Sequence, residues 1–129
     1  MRFYAYSPLA RGVLTGKFSQ PDDGNMNQLQ KRYMTPAMGS ALTALNAACA
    51  AHGVAMKDAA LRWLVHHSVL SRGHDDGVIL GGSSLEQLRE NAVAASAGTL
   101  PATLVEALDA ANEALHPVPA FPTMGVMKL

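Results

Sequence analysis

Gly81-Gly82-Ser83-Ser84-Leu85-Glu86-Gln87-Leu88-Arg89-Glu90-Asn91 follows the apolar run Val78-Ile79-Leu80 and opens an amphipathic stretch. The order reads as a strand, a tight turn and a helix N-terminus. Free backbone N–H groups and the positive end of the helix dipole converge at such a start, so a phosphate can be held there without a dedicated basic residue. Ser84 has the spacing of an N-cap with Gln87 at N3 reaching back, and Leu85, Leu88, Ala92 and Ala95 form the stripe expected to be buried before Gly98 stops the helix. Capping and anion binding are both open readings of Ser84 and Gln87, and the two coexist in one helix start. The apolar run, unbroken and flanked by glycines, favours a strand buried on both faces of a parallel sheet.

Working outward, Tyr6-Ser7-Pro8-Leu9-Ala10-Arg11-Gly12-Val13-Leu14-Thr15-Gly16-Lys17 is a second glycine-punctuated segment, placed after a short strand at residues 3–6. Two strand ends with phosphate-friendly loops suggest a nucleotide cofactor. Residues 19–36 are polar, with Pro21-Asp22-Asp23-Gly24 a turn signal, and read as a long loop with one helical turn near 28–33. Leu42, Leu45 and Cys49 recur at helical spacing, giving a helix at about 37–52 that Gly53 ends as a C′ residue. A second helix is expected at about 57–68, with Ala60, Leu61, Leu64 and Val65 on its apolar face and Trp63 to one side. After the Gly81 stretch, Thr99-Leu100-Pro101 restarts a helix with Leu104, Val105, Leu108, Ala111 and Leu115 on one face, ending near His116-Pro117. The tail, 117–129, has no period.

Strand, two helices, strand and two helices in that order fit a parallel α/β protein. Two strands make a poor sheet, because each keeps an open edge and Val78-Ile79-Leu80 is too apolar to tolerate exposure. Neighbouring strands are therefore expected to be missing.

Composition narrows the partners. At 129 residues and 49% hydrophobic content the chain suits a single packed domain. Ten basic and ten acidic residues cancel, so no broad positive field draws nucleic acid or an anionic membrane surface. Cys49 is the single cysteine, which excludes an internal disulfide, fits a reducing compartment and reads as a small buried residue. The opening residues carry one charge and a short apolar run interrupted by Pro8, too short for a signal segment or a membrane span, so a cytoplasmic location is expected. There are five histidines. His66 and His67 are adjacent on a helix and point about 100° apart, so they cannot grip one ion, and no metal is expected.

The two loops, with Tyr6-Ser7-Pro8-Leu9-Ala10, Gly12 and Leu14-Thr15-Gly16-Lys17 in the first and Val78 to Asn91 in the second, resemble the last third of an aldo-keto reductase. Ala60-Leu61-Arg62-Trp63-Leu64-Val65-His66-His67-Ser68 is similar to the aflatoxin-aldehyde reductase branch, especially its fungal members. The resemblance covers nearly the whole chain up to about residue 115. It implies an α/β fold that is the C-terminal fragment of a (β/α)8 TIM barrel, an incomplete barrel holding strands seven and eight with their helices. Residues 1–116 would then be the partial reductase domain. The family's catalytic Asp, Tyr, Lys and His sit on earlier strands, so no residue here is assigned to them.

The resemblance also implies a function and a site. The expectation is the NADPH-binding portion of an enzyme that reduces aldehydes or ketones to alcohols by hydride transfer, inactive alone. The alternative is a non-catalytic nucleotide-binding or interaction protein that self-associates or docks on a partner barrel. Tyr6 resembles the aromatic residue stacked on the nicotinamide, Ser7, Pro8, Leu9 and Ala10 the backbone over the pyrophosphate, and Lys17 a basic phosphate contact. Ser83 and Ser84 match the seat of the adenosine 2′-phosphate, Gln87 a side-chain contact there, and Glu90 and Asn91 the adenine contacts. Positions 83, 87, 90 and 91 share one helical face. The alternative readings are Tyr6 as packing in a barrel mouth and Lys17 as a solvated charge. Arg32 and Tyr33 resemble a segment near the substrate mouth, where Arg can bind a carboxylate, and a plain surface arginine is the other reading. Branch members often finish with an aromatic pair and a basic residue. This chain departs from that with Phe121-Pro122-Thr123-Met124-Gly125-Val126-Met127-Lys128-Leu129.

Overall fold

The computed structural model describes residues 1–18, 24 and 26–115. The tail at 117–129, the helix end at His116-Pro117 and the turn at Pro21-Asp22-Asp23 lie outside the described residues. Two short strands set the frame: β1 (Tyr4–Ala5) and β2 (Gly77–Val78) pair in parallel, Tyr4 opposite Gly77 and Ala5 opposite Val78. Gly77 lies close under the Tyr4 ring: a Cβ there would stand 3.1 Å from it, so the ring would have to give by a few tenths of an ångström. The approach to the pair is tied by Asp76, whose carboxylate accepts the N–H of Phe3 at 2.8 Å and of Ser71 at 2.9 Å. Those two bonds hold its carboxyl below the usual carboxylate range, since hydrogen bonds to the charged form favour it.

The described residues also form five α-helices: α1 (Gln28–Lys31), α2 (Pro36–Ala51), α3 (Met56–His66), α4 (Leu85–Ser96) and α5 (Ala102–Ala114), of which α3 packs on β2. α2 starts where the Thr35 hydroxyl accepts the Met38 N–H at 3.1 Å, with Pro36 in the first turn, where a missing N–H costs nothing. It ends as the sequence predicts. Gly53 takes φ 62° and the Val54 N–H reaches the Cys49 carbonyl at 3.0 Å, a Schellman closure.

The core lies between α2, α5 and the side chains of Val13, Phe18, Met26 and Met34, and Val13, Leu42 and Leu104 are almost completely enclosed there. Each such side chain contributes about 1.5–3 kcal/mol of transfer free energy. α5 buries the expected face, Leu104 and Ala111 fully, with Val105, Leu108 and Leu115 packed alongside. On α3 the buried positions are Met56, Ala59 and Leu61, while Ala60, Leu64 and Val65 are half-buried. Trp63 packs on the core and donates its indole N–H to Asp109 at 2.8 Å, tying α3 to α5. Cys49 is buried as expected, and burial pushes its thiol pKa up.

α3 also clasps the link between α4 and α5. Arg62 donates to the carbonyls of Gly98 at 2.7 Å and Thr99 at 2.6 Å, His66 Nε2 lies 2.6 Å from the Ala97 carbonyl, and His67 Nε2 accepts the Leu100 N–H at 3.0 Å. Carbonyls of the α4 cap residue and of the link after it thereby find partners.

Two sequence expectations are corrected. The strand is Gly77–Val78 rather than 78–80, and it is not enclosed: Ile79 is 55% exposed, because no strand among the described residues pairs with the outer edge of β2. The α4 stripe of Leu85, Leu88, Ala92 and Ala95 is not the buried one either. Leu85, Leu88 and Ala92 are exposed and Ala95 is half-buried, while Asn91 and Ala94 face α3. Polar fastenings set that rotation. Asn91 is bonded to Gly81, Glu90 is paired with Lys57, and Arg62 grips the helix end. Among the described residues no helix is long and apolar enough to cross a membrane.

Candidate functional site

A parallel strand pair delivers both following loops to the same end of the sheet, where its strands' carboxyl ends lie. Between those loops and the start of α4 opens a cleft of about 1150 Å³. Tyr6, Ser7, Pro8, Leu9 and Lys17 line it from the first loop, and Ser83, Ser84, Gln87, Glu90 and Asn91 line it from the second. Segments read separately in the sequence thus meet in one space.

The first loop is shaped by left-handed backbone. After Ser7 (φ 53°), the successive residues Ala10 (φ 46°), Arg11 (φ 56°) and Gly12 (φ 92°) form a tight turn in which the Leu9 carbonyl accepts the N–H groups of Gly12 at 2.8 Å and Leu14 at 3.2 Å. A non-glycine residue in this region costs about 1–2 kcal/mol, so Ala10 and Arg11 keep it only because their surroundings impose it. Ala10 itself turns toward the core and does not line the cleft.

The second loop is drawn tight against α4. A Cβ on Gly82 would lie 3.0 Å from the backbone nitrogen of Leu88 and 3.2 Å from Gln87 Cβ, so only glycine fits without displacement. Asn91 is buried, and its side-chain N–H donates to the Gly81 carbonyl at 2.8 Å. Ser84 caps α4, its hydroxyl accepting the Gln87 N–H at 3.2 Å. Gln87 reaches back one residue further than a capping box would take it. Its carbonyl oxygen accepts from the backbone N–H of Ser83 at 3.0 Å and from the Ser83 hydroxyl at 2.8 Å. Two donors at a helix start therefore converge on a single oxygen.

Charge in the cleft is mixed. Arg11, Lys17 and Lys57 contribute the cations, Glu86 and Glu90 the carboxylates, and Lys57 forms an ion pair with Glu90. Neither Arg32, exposed at the end of α1, nor Tyr33, packed against the core, lines the cleft. Sequence reading missed Arg11, Thr15, Gln30, Lys57 and Glu86 as lining residues. Arg11 and Thr15 lie inside a motif already singled out and Glu86 in the first turn of α4, whereas Lys57 and Gln30 arrive from α3 and α1, contacts that no spacing in the chain announces. Among the described residues no group of three His, Cys, Asp or Glu side chains converges as metal ligands do.

The aldo/keto reductase family model matches residues 1–113. The chain belongs to the aldo/keto reductase family. It is 42% identical over 132 aligned positions to human aflatoxin B1 aldehyde reductase member 4, covering 90% of this chain and 39% of that protein. Mouse aflatoxin B1 aldehyde reductase member 2 is 39% identical, with 94% and 38% covered. An aldo-keto reductase of the fungus Pseudocercospora fijiensis is 35% identical, with 84% and 40% covered. This aldo/keto reductase chain therefore spans about two fifths of the length of those relatives. The family implies a (β/α)8 barrel, and the parallel pair with its helices is consistent with a part of one.

Proposed function

We propose that this chain forms the cofactor-holding portion of an NADPH-dependent aldo/keto reductase acting on small aldehydes or ketones. One observation carries the reading: the loops after β1 and β2, distant in sequence, line a single cleft with the N-terminus of α4. Nucleotide phosphates favour such strand-end sites, and the names of the aflatoxin aldehyde reductases suggest the substrate class.

A nicotinamide cofactor supplies the hydride when bound. Within this chain, Tyr6 offers a ring face for stacking, and the backbone of Ser7, Pro8 and Leu9 with Lys17 receives the pyrophosphate, while Ala10 shapes the turn behind them. Ser83 and Ser84 hold the 2′-phosphate, whose oxygen takes the donors now engaged by Gln87. Glu90, held by Lys57, and Asn91, held by Gly81, offer acceptors to the adenine edge. Arg32 and Tyr33 serve only a substrate that extends beyond the cleft. No residue here is assigned to protonate the carbonyl oxygen, so the chain binds and orients without turning over. The same reading places the chain in the cytoplasm, with neither nucleic acid nor a membrane surface as partner.

Fluorescence titration of the full chain with both nucleotides, followed by an aldehyde assay, tests this. NADPH is expected to bind more tightly than NADH, Ser84→Glu to weaken NADPH selectively by setting like charge against the phosphate, and turnover to be absent. Equal affinity for the two nucleotides would overturn the 2′-phosphate assignment.

A second reading, a non-catalytic docking protein, draws on the exposed sheet: Phe3 is 62% and Tyr4 54% exposed. Those residues, with the outer edges of β1 and β2, would be the contact with a partner barrel or a second copy.

A further inference from the structure

Gln30 sits in α1, far in sequence from the cofactor loop, yet it lines the cleft. Its side-chain oxygen accepts the Asn27 N–H at 2.9 Å, while the Asn27 side chain accepts the N–H groups of Leu29 at 3.0 Å and Gln30 at 2.9 Å, a complete capping box. Its side-chain nitrogen donates to the Arg11 carbonyl at 2.9 Å. The two bonds fix the amide's orientation, because only the oxygen can accept and only the nitrogen can donate. Arg11 is one of the left-handed residues of the turn, and a Cβ on Gly12 beside it would stand at ordinary contact distance, 3.7 Å, from the same nitrogen. The turn thus needs an outside anchor, and Gln30 reaches it.

We propose that Gln30 is a positioning residue: it latches the left-handed turn at residues 10–12 through the Arg11 carbonyl and so holds the first loop in its nucleotide-receiving shape. This rests on the nucleotide reading of the cleft. α1, otherwise a single helical turn with no buried residue, gains a role as the support of the latch. Glutamine alone among the long polar side chains fits both bonds, since Glu lacks the donor and Lys the acceptor.

The test uses the full chain and Gln30→Glu, which keeps an acceptor for the Asn27 N–H and removes the donor to Arg11. Titrations with NADPH and with 2′,5′-ADP are compared, the latter carrying the 2′-phosphate but no pyrophosphate or nicotinamide. NADPH affinity is expected to fall roughly five- to tenfold, the range of one lost hydrogen bond, with 2′,5′-ADP affinity unchanged. Unchanged NADPH affinity overturns the proposal, and so does an equal loss for both ligands, which marks a general loss of fold. Hydrogen exchange at residues 10–14 without ligand is expected to quicken in the variant while its melting temperature holds. Equal protection there also overturns it, and this arm decides even if the wild-type chain binds neither ligand, a result that refutes the nucleotide reading itself.

Discussion

Gly82 shows how much of the cleft depends on a missing side chain. Its α4-facing side is so close to Leu88 that Gly82→Ala must push the loop away or shift the first turn of the helix. Overpacking of this kind costs about 1–3 kcal/mol. The variant is expected to melt earlier and to bind NADPH more weakly, with both changes read by thermal unfolding and titration. A variant indistinguishable from wild type on both would mean that the loop stands further from α4 than described. The glycine was legible in the sequence as part of a turn, and Ser84 as a cap. The destination of Gln87 was not: spacing sends its side chain toward the Ser84 N–H, whereas the bond goes to Ser83, a choice of one residue that depends on the loop's path. Lys57 and Gln30 were invisible for a different reason, since each reaches the cleft only through tertiary packing.

Among the elements, the strand pair depends on Asp76 at its entrance. Because its carboxyl titrates below the usual range in the folded chain, ionisation is favoured by folding, and the resulting stability is present above the unfolded carboxylate value of about 4. That stability is lost as pH falls through the lower folded value. Asp76→Asn is therefore expected to be less stable than wild type at neutral pH, with the gap closing in acid. Denaturant unfolding at a series of pH values measures it, and a gap constant from neutral to strongly acidic pH would remove Asp76 from the account. Helices 2 and 5 were readable because their apolar positions meet a core that the chain itself supplies. The α4 stripe misled for the opposite reason. Leu85 and Leu88 repeat at a helical interval, but the described residues offer them no apolar surface, and the polar bonds of Glu90, Asn91 and the Arg62 clasp orient the helix instead.

For the molecule as a whole, apolar groups are exposed on and beside the sheet and on α4, with Phe3, Tyr4, Ile79, Leu85 and Val93 all more than half exposed, and Val69 beyond α3 is exposed almost entirely. Surfaces of this kind associate. The purified chain is expected to sediment as oligomers or to bind a hydrophobic dye while retaining helical circular dichroism. A monodisperse monomer with a sharp transition and no dye binding would show that two strands and five helices suffice as a domain.

Core and cleft meet at Phe18, buried in the one and lining the other, yet the two are held by different means. Leu42 and Leu104 are enclosed between α2 and α5, whereas the α4 side of the cleft is fastened by Asn91 and Lys57 through polar bonds. A buried apolar core opens as one cooperative unit, whereas regions held by few apolar contacts open locally at lower free energy. That side of the cleft is therefore expected to open locally while the helical base stays folded. Such a division lets selection retune what the cleft accepts at little risk to what keeps the chain folded.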